Sequence, residues 1–141
     1  MRLGASVPLV AVLALIALAP PASASLVGFQ TADHKVGCYL DGQGVRCDVK
    51  KPRFEPPPQP STCEFDWGDA LILFRQGPAE YVCASDTALD PAHQVLFAGD
   101  KVKRGRFKCK ALDASTIKCV NKRNGEGFAV SRSQAELISP R

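Results

Sequence analysis

The chain has only two histidines, His34 and His93. A nucleophile site of the Ser-His-Asp type needs a base held by a carboxylate. Asp33 adjoins His34, but neighbouring side chains in an extended segment point to opposite sides. His93 follows the turn sequence Asp90-Pro91-Ala92. Both are read as exposed turn histidines. GxSxG, HExxH and P-loop patterns are absent, which leaves no motif for a serine hydrolase, a zinc protease or a nucleotide-binding enzyme. No two cysteines form a close C-x₂₋₄-C pair, so no metal site is expected. Nothing in the sequence asks for a cofactor, and no residue is assigned as catalytic. Beyond the first residues, no apolar run is long enough to cross a membrane.

Those first residues read MRLGASVPLVAVLALIALAPPASA. Arg2 provides a short positive region, and Val7 to Leu18 is almost entirely apolar. About 12 residues suits the core of a secretory signal and is short for a bilayer span. Pro20-Pro21 ends the run, and Ala22-Ser23-Ala24 fits the A-x-A cleavage pattern. Residues 1–24 are therefore expected to be a signal peptide, with residues 25–141 a single secreted, disulfide-stabilised β domain. No cysteine follows the apolar run directly, which argues against a lipid anchor. The expected location is extracellular or at the cell envelope. All six cysteines (Cys38, Cys47, Cys63, Cys83, Cys109 and Cys119) lie in the second part. An even count in an exported chain reads as a disulfide framework.

Cysteines stand at both ends of CYLDGQGVRC, Cys38 to Cys47. The centre, Asp41-Gly42-Gln43-Gly44, is turn chemistry: glycine accepts positive φ, and Asp can bond its own backbone. Pairing Leu40 with Val45 across the turn sets Tyr39 against Arg46 and Cys38 against Cys47. Opposed strand residues have Cβ atoms about 4.5–5.5 Å apart, close to disulfide range. The period of two places Val36, Cys38, Leu40, Val45, Cys47 and Val49 on one apolar face. The segment Phe107 to Val120, FKCKALDASTIKCV, has the same outline. Pairing Cys109 with Cys119 there sets Lys110 against Lys118 and Ala111 against Ile117. Cys63 and Cys83 then pair by elimination.

Phe29 to Asp33, Ala70 to Phe74, Glu80 to Ala84 and Gly127 to Arg132 read as strands, and Gln94 to Gly99 as a short strand or loop. Lys51 to Pro60, KPRFEPPPQP, reads as an extended surface connector, because proline removes donors and restricts φ. Ser133-Gln134-Ala135-Glu136 matches a capping box, so a short C-terminal helix is expected with Ser133 as its N-cap. The fold class that follows is mainly β: a small antiparallel sandwich or open barrel with disulfide-stapled hairpins and that short helix.

Taken in order, FQTADHKVGCYLDGQGVRCDV, the proline connector, CEFDWGDALIL, YVCASDTAL and NGEGFAVSR resemble a family of small secreted actinobacterial proteins of unknown function. Its members show F-x-T-P-S-G-N-I-x-C, R-C-D, a proline-rich link, D-W-G, a cysteine before G-D-T, a further cysteine pair and a closing G-x-G-F-x-x-S-R. The resemblance covers nearly all of residues 25–141. It departs at Ala32 to Lys35, where the family's P-S-G-N turn reads Ala-Asp-His-Lys. It implies a secreted disulfide domain and carries no activity with it.

Two charge features suggest chemistry. Glu64, Asp66 and Asp69 surround Trp67. A glycosidase needs two carboxylates about 5–5.5 or 6.5–9.5 Å apart, and Asp66 and Asp69 are the pair that could supply them; the plainer reading is a solvated turn beside a tryptophan that covers the core. The stronger feature is basic. Lys101 to Arg123 holds nine cationic residues against Asp113 alone, although the whole chain carries only +4. Lys108, Lys110 and Lys118 should project from the face opposite Cys109 and Cys119, with Arg104 and Arg106 nearby. A basic stripe attracts anionic polymers. The expectation is a secreted, non-catalytic binding domain that engages an anionic cell-wall polymer or an extracellular protein through this hairpin. Nucleic acid is not expected in that compartment. The alternatives are a small carbohydrate-active hydrolase using Asp66 and Asp69, and a protease-inhibitor-like protein presenting the loop Gly42 to Gly44.

Overall fold

A computed structural model describes residues 25–141 together with residues 4, 18 and 19. The expected signal peptide, residues 1–24, lies outside the described residues apart from those last three. The described residues form eleven strands and no helix.

The strands make two sheets. The first has six strands in the order β5-β4-β3-β2-β1-β6. They are β1 (Val27–Thr31), β2 (Val36–Leu40), β3 (Gly44–Val49), β4 (Trp67–Phe74), β5 (Glu80–Cys83) and β6 (Gln94–Leu96). All neighbours are antiparallel except β1 and β6, where Phe29 lies beside Gln94 in a parallel pair. The second has five antiparallel strands, β11-β10-β9-β8-β7. They are β7 (Lys101–Arg104), β8 (Phe107–Ala111), β9 (Ile117–Asn121), β10 (Gly127–Val130) and β11 (Ala135–Ile138). Each sheet keeps two edges, so neither closes into a barrel.

Both sheets turn their apolar faces to one core. Phe29, Leu40, Leu71 and Leu73 from the first meet Phe107, Ile117 and Phe128 from the second, all wholly buried. Burying a side chain of this size contributes about 1.5–3 kcal/mol.

The two stapled hairpins lie in different sheets. Cys38 is opposite Cys47, Tyr39 opposite Arg46 and Leu40 opposite Val45. Cys109 is opposite Cys119, Lys110 opposite Lys118 and Ala111 opposite Ile117. Cys38–Cys47, Cys63–Cys83 and Cys109–Cys119 are disulfides. The four hairpin sulfur-bearing residues are wholly buried in the shared core. An aspartate organises each hairpin turn. Asp41 Oδ1 accepts from the amides of Gln43 at 2.7 Å and Gly44 at 3.0 Å. Asp113 Oδ1 accepts from the Ser115 amide at 2.8 Å, and its other oxygen accepts from the Thr116 hydroxyl at 3.2 Å. These bonds, the Ser115 amide first, hold the Asp113 carboxyl below its ordinary value.

The proline connector lies across the molecule without pairing as a strand. Phe54 packs against the core, and Pro56 sits directly under Gly68, where a Cβ would come within 2.5 Å of its ring. The Trp67 indole donates to the Pro57 carbonyl at 2.8 Å, and the Arg53 amide to the Arg132 carbonyl at 2.7 Å.

The C-terminal helix is not formed. Residues Ala135–Ile138 are strand β11, with Ala135 paired to Val130 and Leu137 to Phe128. Ser133 is not an N-cap. Instead Ser131 makes the turn: its hydroxyl accepts from the Gln134 amide at 3.2 Å, and its amide donates to the Gln134 carbonyl at 2.8 Å. Six residues separate Ser133 from Pro140, fewer than an isolated helix needs. The free edge of β10 offers the same segment a complete ladder.

Candidate anion-binding site

Strand β7 extends the second hairpin by one strand and adds two lysines to its outer face. Val102, between them, points inward and is nearly buried. Residues directly opposed across an antiparallel pair project to the same side. Lys101 is opposite Lys110, and Lys110 is opposite Lys118. In the next row Lys103 is opposite Lys108, and Lys108 is opposite Val120. Five lysines thus stand on two adjacent rows of one sheet face. No carboxylate lies within ion-pair reach of any of them among the described residues. Lys108 sits centrally, and the charge of Lys101, followed by partial burial and the charges of Lys103, Lys110 and Lys122, holds its ammonium below the usual lysine value. Like charges directly opposed across a sheet destabilise it, so the fold carries this face at a cost.

Lys108, Lys110 and Lys118 share the face as the sequence indicated, and β7 brings Lys101 and Lys103 beside them. The alternation Lys-Val-Lys was the signal for β7; without a second apolar residue it reads as a charge run. Arg104 and Arg106 do not join the face. Arg104 closes β7 opposite the inward-pointing Phe107, and its guanidinium turns back to the Lys103 carbonyl at 2.8 Å. Arg106 lies beyond the turn at Gly105, in a recess of about 280 Å³ lined by Gly42, Arg75, Gly105, Arg106, Lys122 and Arg123. Four loops, two from each sheet, meet there. Wholly buried Asn121 joins two of them: its Nδ2 donates to the Arg75 carbonyl at 3.1 Å, and its Oδ1 accepts from the Arg123 amide at 3.0 Å. Arg106 Nη1 donates to that same Arg75 carbonyl at 3.1 Å. Desolvation first, then Arg75 and Arg123, lowers the Arg106 value.

A second recess, of about 260 Å³, gathers Asp48, Asp66, Asp69 and Asp86 with Arg46, Lys50 and Lys51. Asp66 and Asp69 do line one cavity. Asp69, however, belongs to β4 rather than to a turn. Burial first, then the charges of Asp66 and Asp48, raises its carboxyl above the ordinary value. Arg46 occupies the other side. Its Nε donates to Asp48 at 2.7 Å and its Nη1 to Asp86 at 2.8 Å. These bonds raise the guanidinium above its ordinary value, the Asp48 bond most of all, and lower the Asp86 carboxyl.

The loop Gly42 to Gly44 lies against the basic recess and offers no protruding side chain but Gln43, which is exposed. His34 is an exposed turn residue with φ 57°, its Nδ1 2.9 Å from Gln30 Oε1. His93 departs from the expected exposed turn histidine. Its side chain is 9% exposed, packs edge-on to Tyr39 at 4.6 Å, and covers Gly28, where a Cβ would meet the ring at 2.3 Å. Glycine at position 28 leaves the space that lets the imidazole fold inward. No cluster of three or more metal-ligating side chains occurs among the described residues.

No family model, curated protein or solved structure matches this chain.

Proposed function

We propose that this chain is a secreted, non-catalytic binding domain that engages an anionic polymer of the cell envelope through the outer face of its second sheet. The observation that carries the reading is the pair of lysine rows, Lys101-Lys110-Lys118 and Lys103-Lys108, standing without carboxylate partners among the described residues. Strands lie about 4.8 Å apart and alternate residues about 7 Å apart along a strand. The ammonium groups therefore form a shallow grid, which suits an extended chain of repeated negative charges better than one small molecule. Three disulfides fit an oxidising compartment, and the apolar leader and the resemblance to secreted proteins support export.

The test is retention of the refolded domain on purified cell wall. Changing Lys108, Lys110 and Lys118 together to Gln should abolish retention with the fold intact, because none of the three faces the core. Retention of the native domain should also fade as the Debye length falls from about 30 Å at 0.01 M salt to about 3 Å at 1 M. Equal retention of both proteins at both salt concentrations would reject the proposal.

A second reading, a hydrolase centred on Asp66 and Asp69, draws on their shared recess and the raised Asp69 carboxyl. Glycan cleavage that disappears in Asp66→Asn and Asp69→Asn would favour it over the binding domain.

A further inference from the structure

The recess at the loop end of the two sheets is chemically unlike the lysine face. Arg75, Arg106, Lys122 and Arg123 line it with two glycines and no carboxylate. Arg106 uses only Nη1, on the Arg75 carbonyl, and leaves the rest of its fork without a hydrogen bond among the described residues. The Arg75 guanidinium makes one long contact, 3.5 Å to the Gly42 carbonyl. The side chains of Lys122 and Arg123 make no hydrogen bond or ion pair among the described residues.

These charges are not a loose surface cluster. Lys122 donates its amide to the Arg106 carbonyl at 2.8 Å, which ties the two turns of the second sheet together. Buried Asn121 fixes both the Arg75 carbonyl from the other sheet and the Arg123 amide. The Gly105 turn comes so close to Gly42 that a Cβ on Gly105 would contact its Cα at 3.9 Å. The backbone therefore holds four cations around one concavity, and none of them is in an ion pair among the described residues.

We propose that this recess binds a phosphate group. A guanidinium fork matches phosphate and carboxylate oxygens alike. Charge decides between them: a phosphate monoester carries about −1.5 to −2 at pH 7, against −1 for a carboxylate. Four cations with several free donors suit the dianion, whose oxygens accept from more than one direction. The site is built from other residues than the lysine face, since none of Lys101, Lys103, Lys108, Lys110 and Lys118 lines it. Free phosphate and the phosphate end of a larger molecule present the same chemistry.

The experiment is an amide-resolved NMR titration of the oxidised protein at constant ionic strength. The probes are inorganic phosphate, glycerol phosphate and acetate. Inorganic phosphate should produce saturable shifts confined to residues around Gly42, Arg75, Gly105, Arg106, Lys122 and Arg123. Arg123→Gln should weaken binding by about tenfold, the usual effect of losing one charged hydrogen bond. Its side chain supports no other group, so the remaining spectrum should be unchanged. Lys122→Gln supplies an independent variant with the same expected direction. The Lys108, Lys110, Lys118 triple Gln variant should still give saturable shifts at the same recess residues, because none of the three lines it. Saturation by glycerol phosphate as well would assign the site to esterified phosphate; saturation by inorganic phosphate alone would assign it to the free anion. Equal response to acetate, shifts without saturation, or undiminished binding in both Arg123→Gln and Lys122→Gln would overturn the proposal.

Discussion

The carboxamide of Asn121, at the end of β9, donates to the main-chain carbonyl of Arg75, which directly follows β4, at 3.1 Å. This bond joins the two sheets, and Asn121 is wholly buried. Replacing Asn121 with Leu leaves the Arg75 carbonyl with Arg106 alone and the Arg123 amide without its acceptor. Unpaired buried polar groups cost about 1–3 kcal/mol. The Asn121→Leu protein should therefore lose stability of about that size, read as a lower urea midpoint with an unchanged slope. An unaltered midpoint would show that water replaces both bonds at no cost.

Lys110 stands between Lys101 and Lys118 in one row of the second sheet. Lys110→Glu turns two repulsive cross-strand pairs into attractive ones, each contributing roughly 0.2–1 kcal/mol. The variant should be about 1 kcal/mol more stable than the native protein at low salt and should lose retention on anionic polymer. Gain of stability together with loss of binding is the pattern expected where a surface is kept for function.

Asp69 has a raised carboxyl, from burial first and then from Asp66 and Asp48. A raised carboxylate value means that the folded state holds the proton more tightly than the unfolded chain. The Asp69 charge therefore disfavours folding once pH exceeds the folded value, and the penalty vanishes below the ordinary value of 3.8. Asp69→Asn should raise the urea midpoint at pH 7 and leave it unchanged near pH 3. A gain that persists at low pH would trace the effect to packing rather than to charge.

Cys63 and Cys83 are partly exposed, whereas the cysteines of the other two disulfides are wholly buried. A thiolate reductant needs access to a sulfur. Mild reduction of the folded protein should open Cys63–Cys83 first, which alkylation and peptide mapping would read as label on those two residues alone. This bond spans 20 residues of sequence, so replacing both cysteines by Ala should cost roughly 3 kcal/mol. Label appearing first on Cys38 or Cys109 would mean that the hairpins open before the connector region does.

Both stapled hairpins were legible in the sequence because the information is local. Alternation fixes which side each residue faces, a tight turn fixes the register, and two opposed cysteines are consistent with only one side being core. The same alternation placed Lys108, Lys110 and Lys118 on one outer face. It could not place Arg106. That residue is only two positions from Lys108, but the Gly105 turn sends it to the end of the sheet, where its neighbour Arg75 is 31 residues away in sequence. The C-terminal segment went the other way: its capping-box pattern is a local helix signal, and the unpaired edge of β10 outcompeted it with four residue pairs. His93 turned inward because Gly28, far away in sequence on the neighbouring strand β1, leaves it room. The sequence alone thus determined sidedness, register and the β class, which depend on neighbours a few residues apart. Tertiary structure alone decided which loops meet, because that rests on how two sheets pack around a shared core.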